Sequence, residues 1–331
     1  MTRSLVARFA LAFSWFALAA CGANEPKDSP DAIATEQSAE TALARYTLVL
    51  DGVESPVAYA PSENQGTSMS VQTPMTGPVN AWIESSLAMS YIRKSGAINA
   101  ADFKRDVRYT RHFSDALLTE VTFPAGDGDS KDAAYLNLTW SPEKIWNTTG
   151  SGKQEDNPAD TKPKAFLPWN FRFVIDGLLP AGAKVTHVSG ITVRPPAGDQ
   201  MVDAGAPKST RVAFSDVTIV VAASDAKGLA EWQLETAKNP NDAPKRAGSF
   251  VYLGAQQERL ATLGLVGLGI RKLTNNPPKP GKGNENKIAT VTAELSVETV
   301  HVCFGDKCQL GSRSKNGSPR ASARAGWSFT C

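Results

Sequence analysis

The chain has 331 residues and a formal net charge of +2. Its 41% hydrophobic and 21% charged content supplies enough apolar side chain for a real core, which excludes a disordered or fibrous class. Arg3 and Arg8 account for the whole +2, and without them 33 basic residues face 33 acidic ones, an even balance that speaks against a nucleic-acid-binding protein. The balance is not uniform. After Cys303, five basic residues (Lys307, Arg313, Lys315, Arg320, Arg324) meet only Asp306, so the last stretch is a basic tail.

In chain order, the first element is a signal. Arg3 and Arg8 precede an apolar run from Phe9 to Ala20. A basic region, a short apolar core and small residues before a cut site read as a secretory signal. The run is too short for a membrane-spanning helix, which takes about 20 apolar residues. Leu18-Ala19-Ala20-Cys21 resembles the lipobox of bacterial lipoproteins. That resemblance implies cleavage before Cys21 and acylation of Cys21, so that the chain is anchored to a membrane through lipid. Gly22 after the cysteine is compatible with sorting to the outer membrane. An ordinary signal with a chance cysteine is the competing reading. Residues 21–44 are rich in Ala, Glu, Asp, Ser and Pro and read as a flexible tether.

The first folded region opens with Tyr46–Leu50, a strand closed by the turn pair Asp51-Gly52. Pro78 opens a helix on which Val79, Trp82, Ile83 and Leu87 recur at helical spacing. Trp82 reads as a core residue. Strands are expected at Phe103–Tyr109, Leu117–Phe123 and Tyr135–Trp140, the last two with clear period-two alternation. Residues 143–166 show no apolar period and read as a linker or long exposed loop.

The second region repeats the theme. Phe171–Ile175 is a strand closed by Asp176-Gly177. Thr186–Val193 and Val212–Ala222 read as single strands. Asp225 is expected to cap a helix through Leu229, Trp232 and Leu234. Strands follow at Phe250–Leu253, Leu260–Val266 and Leu268–Leu273, and Ala289–Val302 reads as one long alternating strand. The Asp-Gly pairs lie 125 positions apart and the tryptophans 150, so the halves look like copies, with an insertion of about 25 residues in the second. The expected fold class is mainly β: two tandem small β-barrels or β-sandwiches, each with a flanking α-helix.

Little in the sequence points to catalysis or metal binding. His112, His187 and His301 are isolated, and no Gly-x-Ser-x-Gly elbow occurs. Gly150-Ser151-Gly152-Lys153 lacks the first glycine of a phosphate loop. Gly264-Leu265-Val266-Gly267-Leu268-Gly269 lies in a β pattern and reads as a close-packed strand or bulge. Asp127, Asp129 and Asp132 alternate as calcium ligands do, but Lys131 and the missing bidentate Glu favour a hairpin loop. No catalytic, cofactor-binding or metal-ligating set is assigned, and the chain reads as not an enzyme. Cys303 and Cys308 bracket a turn-like tetrapeptide, and export favours a disulfide between them; zinc is the weaker alternative. Cys331 is left over.

Phe113–Ala125, Ser130–Leu136 and Ile288–Val300 together resemble phage tail-tube-like proteins, including bacterial forms with two such domains in tandem. The resemblance covers roughly 45–302 and implies β-barrels with a flanking helix that pair edge to edge into rings. Tail-tube proteins assemble in the cytoplasm, and a lipoprotein signal departs from that pattern. The expected organisation is a signal at 1–20, tether at 21–44, tail-tube-like β domain at 45–142, linker at 143–166, second tail-tube-like domain at 167–303 and basic tail at 304–331. The expected function is that of a lipid-anchored bacterial cell-envelope protein acting by self-association or protein–protein binding. Its expected partners are the membrane, further copies, or an envelope or secretion-apparatus protein. The alternative is a surface lipoprotein that binds a glycan or small ligand on a β-sandwich through Trp140, Trp146 or Trp169. A hydrolase with a scattered site is a third class.

Overall fold

The computed structural model describes residues 45–57, 68–75, 77–88, 92–154, 166–180, 182–195, 212–278 and 288–305. The first half runs β1 (Arg45–Leu50), β2 (Val53–Val57), β3 (Met69–Thr73), α1 (Val79–Leu87), β4 (Lys94–Ala101), β5 (Val107–Phe123), β6 (Gly126–Asp127), β7 (Leu136–Ser141) and β8 (Lys144–Thr149). The second runs β9 (Phe171–Ile175), β10 (Val185–Val188), β11 (Ile191–Arg194), β12 (Ala213–Phe214), β13 (Val217–Ala222), α2 (Lys227–Lys238), β14 (Arg246–Leu253), β15 (Arg259–Asn276), β16 (Thr290–Ser296) and β17 (Thr299–Phe304). The fold is mainly β, in two sheets, with one α-helix in each half, as the sequence led us to expect.

Local chemistry explains the elements. Asp51 (φ 52°) and Gly52 (φ 77°) both take left-handed backbone, the requirement of the two-residue hairpin turn that joins β1 to β2. On α1, Val79, Trp82, Ile83 and Ser86 are buried on one face. The Trp82 indole N–H donates to the Ile92 carbonyl at 3.0 Å. On α2, Leu229 and Trp232 are buried, and the Trp232 indole donates to the Pro244 carbonyl at 2.8 Å. Each indole thus ties its helix to the chain just before the next strand. Asp225 does not cap α2; its carboxylate accepts the Lys184 backbone N–H at 2.7 Å instead.

The first sheet runs β12-β11-β5-β4-β1-β2, with β7 and β8 also on β5 and β3 on β7. The second runs β6-β10-β13-β16-β15-β14-β9, with β17 on β15. The sheets therefore exchange strands. β11 and β12, from the second half, pair into the first sheet, and β6, from the first half, pairs with β10 in the second.

This exchange breaks two stretches that alternation alone reads as continuous. Thr186–Val193 divides at Ser189-Gly190, where the chain leaves one sheet for the other. A side chain at Gly190 would put its Cβ 2.8 Å from the Phe123 carbonyl oxygen, so only glycine passes. Val212–Ala222 divides at Ser215-Asp216, and the Ser215 hydroxyl accepts the Thr192 N–H at 3.0 Å.

Other boundaries also differ from the sequence expectation. Phe103 is in a turn and 80% exposed, and the strand begins at Val107. β4 was not expected: Gly96 and the alanines give weak strand signals, yet a Cβ at 96 would meet the Val49 carbonyl at 2.2 Å. Leu260–Leu273 is one strand with a bulge at Gly267 (φ 70°) rather than two strands. Ala289–Val302 is two strands joined at Val297-Glu298, which lacks the usual Gly or Asn of a tight turn. Residues 144–149 of the expected linker are β8, and Phe166, at its end, is fully buried. β17 continues through Phe304, one residue into the expected tail.

The suspected duplication is visible in hydrogen bonds. Counting 152 residues on from the first half gives Arg105 to Gln257 and Asp115 to Gly267, all four with positive φ. Arg105 N–H donates to the Asp102 carbonyl, and Gln257 N–H to that of Gly254. The pairings follow: β1 on β4 matches β9 on β14, and β3 on β7 matches β13 on β16. The extra length of the second half lies between β9 and β13, in the ribbon that crosses to the first sheet. Apolar residues of both halves form one continuous core.

Candidate interaction surface

β8 is the most open strand of the body. All six of its residues are exposed, on both faces, and among the described residues it pairs only with β5. Ile145 and Trp146 are 36% and 47% exposed. The Trp146 ring stacks on His112 with centroids 5.1 Å apart and planes 11° apart. His112 Nε2 lies 3.0 Å from the Thr148 hydroxyl. The strand thus presents an ordered aromatic face beside an unpaired edge, and an unpaired edge of this kind is a template for another strand or chain.

The other side chains singled out in the sequence separate into core and surface. Trp140 is fully buried, 5.9 Å from Trp82 between ring centroids and 5.3 Å from Phe113, so it cannot serve as a ligand platform. Trp169 is 42% exposed. Asp127 Oδ1 accepts the Asp129 N–H at 3.0 Å, which uses the carboxylate to build a turn. Gly152 (φ 86°) bends the chain after β8, and Lys153 bridges back to Asp106. Among the described residues no group of three or more His, Cys, Asp or Glu gathers to hold a metal.

Cys303 is disulfide-bonded, which takes its thiolate away from metal ligation. Cys308, its expected partner, lies outside the described residues, as do Cys21 and Cys331. No helix among the described residues is long and apolar enough to cross a membrane. His301 sits opposite Gly264 on β17, and burial holds its imidazole below the ordinary value. Asp102 accepts two donors from Arg108, at 2.9 and 2.7 Å, which with backbone N–H groups hold its carboxyl below the usual range. Both groups are explained by packing and pairing within the sheets.

Sequence reasoning missed β8 because a strand exposed on both faces carries no alternation. The signal that was there is compositional: Ile145, Trp146, Thr148 and Thr149 are all strand-favouring residues. No family model matches the chain, and no curated protein matches it.

Proposed function

We propose that the chain is a non-enzymatic, lipid-anchored protein of the bacterial cell envelope, with tail-tube-like β domains, that acts by self-association or by binding an envelope protein. Acylation of Cys21 would hold it at the outer membrane, and residues 22–44 would give the body reach. The observation that carries the association reading is β8: a two-sided exposed strand with Ile145 and Trp146, whose outer edge has no partner strand among the described residues. The tail-tube resemblance supports the same reading through its edge-to-edge pairing. A glycan- or ligand-binding lipoprotein is the second reading, and it now rests on Trp146 and Trp169 alone.

The deciding experiment is the mass of the full chain in detergent by light scattering, with negative-stain imaging of any large species. A discrete oligomer, ring or stacked tube is expected. A monomer that also recovers no envelope protein on crosslinked pull-down overturns the reading.

A further inference from the structure

The internal repeat supplies a template for a contact that one chain alone cannot complete. Each helix lies against the long strand of its own half, α1 on β5 and α2 on β15. α1 also lies against β17, which belongs to the other half. There the Phe304 backbone N–H donates to Glu84 Oε1 at 3.1 Å. At the same junction β11 adds to β5 through Val121–Phe123. The junction between the halves is thus built from α1 and an edge of β5 on one side, and from β17 and the β10–β12 ribbon on the other.

The repeat has the same helix and last strand at its two free ends, while the β10–β12 ribbon has no counterpart in the first half among the described residues. The counterpart of α1 is α2, and that of β17 is β8, which sits on β5 as β17 sits on β15. Among the described residues no comparable helix contact covers β8, whose residues are all exposed. The counterpart of Glu84, counting on from Trp82 to Trp232, is Leu234, and it is 63% exposed, an apolar side chain on the open face of α2. The counterpart of Phe304 is Thr149, the last residue of β8. On β15 the stretch matching Val121–Phe123 is Leu273–Asn275. Among the described residues it pairs on one side only, with β16, and Thr274 and Asn275 are exposed.

We infer that α2 docks on β8 of a second copy of this chain, head to tail, repeating between chains the contact that α1 and β17 make within one. Because the two surfaces differ, the contact is heterologous, and successive copies close into a ring or continue as a filament. Leu234 and Ile145, which shares a face of β8 with Thr149, supply its apolar centre. This inference rests on the self-association reading above and names the surfaces that reading leaves open.

The test uses the full chain in detergent, with Cys331→Ser as background. Leu234→Cys is introduced into one preparation and Thr149→Cys into another, and a short thiol-specific bifunctional crosslinker is added to each alone and to the mixture. A crosslinked dimer at least several-fold stronger in the mixture than in either preparation alone is expected. Dimer formed by Leu234→Cys alone indicates a like-to-like contact and overturns the inference. Leu234→Asp, at an exposed position that leaves the core intact, is expected to shift the measured mass toward monomer. An unchanged oligomer with Leu234→Asp and no mixed crosslink overturns the head-to-tail docking while self-association stands. A monomeric parent chain overturns both.

Discussion

In the first half of the body, the Glu143 N–H donates to the Ser114 carbonyl at 3.0 Å, and the Glu143 carboxylate pairs with Arg93 at 2.8 Å. In the second half, Glu298 N–H donates to the Val266 carbonyl at 3.2 Å, and its carboxylate pairs with Lys245 at 3.2 Å. The same turn, next to the same bulge, is tied to the residue before the same strand. What differs is the cover over the last strand. β17 lies against α1 and buries Val300 and Cys303, while β8 is exposed along its length. Where His301 packs over Gly264, the first half has Trp146 over His112. The halves share a frame and diverge in what covers the last strand, which is a helix over β17 and solvent over β8.

The largest test of the shared frame is the tryptophan pair. Trp82 and Trp232 are each almost wholly buried, and each indole N–H has a carbonyl partner. Trp82→Ala and Trp232→Ala should each cost about 3–5 kcal/mol in denaturant unfolding, from lost burial plus a cavity. Because one core spans both halves, each variant should unfold in a single transition. Two separated transitions in either variant would show that the halves are energetically independent, and the comparison would then be one of shape only.

A smaller effect separates the two bulges. Asp115 and Gly267 share the left-handed backbone, at φ 51° and 70°. A Cβ at 267 would meet Oε2 and Cβ of Glu298 at 2.3 and 2.6 Å. Gly267→Ala should therefore lose about 1–3 kcal/mol, from strain and overpacking. Asp115→Gly should stay within about 1 kcal/mol of the parent, since glycine takes this backbone freely but gives up more chain entropy. Equal losses at the two sites would mean that the bulges are not equivalent.

These residues also show what was legible in the sequence. Asp51-Gly52, Asp176-Gly177, Trp82 and Trp232 carried the duplication, because turn chemistry and helical spacing are local properties. The period-two alternation of Leu136–Trp140 gave β7 with its buried face. The sheet exchange was hidden, because Ile191 and Val193 alternate as they would in either sheet, and only the close approach of Gly190 to the Phe123 carbonyl marks the crossing. β8 was hidden for the opposite reason: a strand with two wet faces has no period. The contact of α1 with β17 joins residues 220 positions apart, and no local pattern encodes it.

The next test is pH. Burial lowers the His301 pKa in the folded chain. Below the unfolded value of about 6.5 the unfolded chain takes up the proton more readily, so stability is full above that pH and falls as pH drops toward the folded value. Unfolding free energies of the parent and of His301→Gln, followed from pH 7.5 to 5, should diverge in that window, with the parent losing more. Parallel profiles would remove the burial argument at this position.

The smallest expected effect lies in the two ion pairs that open this comparison. Both are partly exposed, with side chains 35% and 47% accessible for Arg93 and Glu143 and 47% and 59% for Lys245 and Glu298. Exposed pairs of this kind contribute about 0.2–1 kcal/mol. Arg93 also donates to the Asp115 carbonyl at 2.8 Å, which holds its guanidinium in place before the carboxylate arrives. Less side-chain freedom is then lost in forming that pair. Double-mutant cycles with alanine should give a larger coupling for Arg93–Glu143 than for Lys245–Glu298, and both should weaken as salt is raised. If the lysine pair proved the stronger, the fixed guanidinium would not be what distinguishes the two turns, and the shorter distance in the first half would have no energetic meaning.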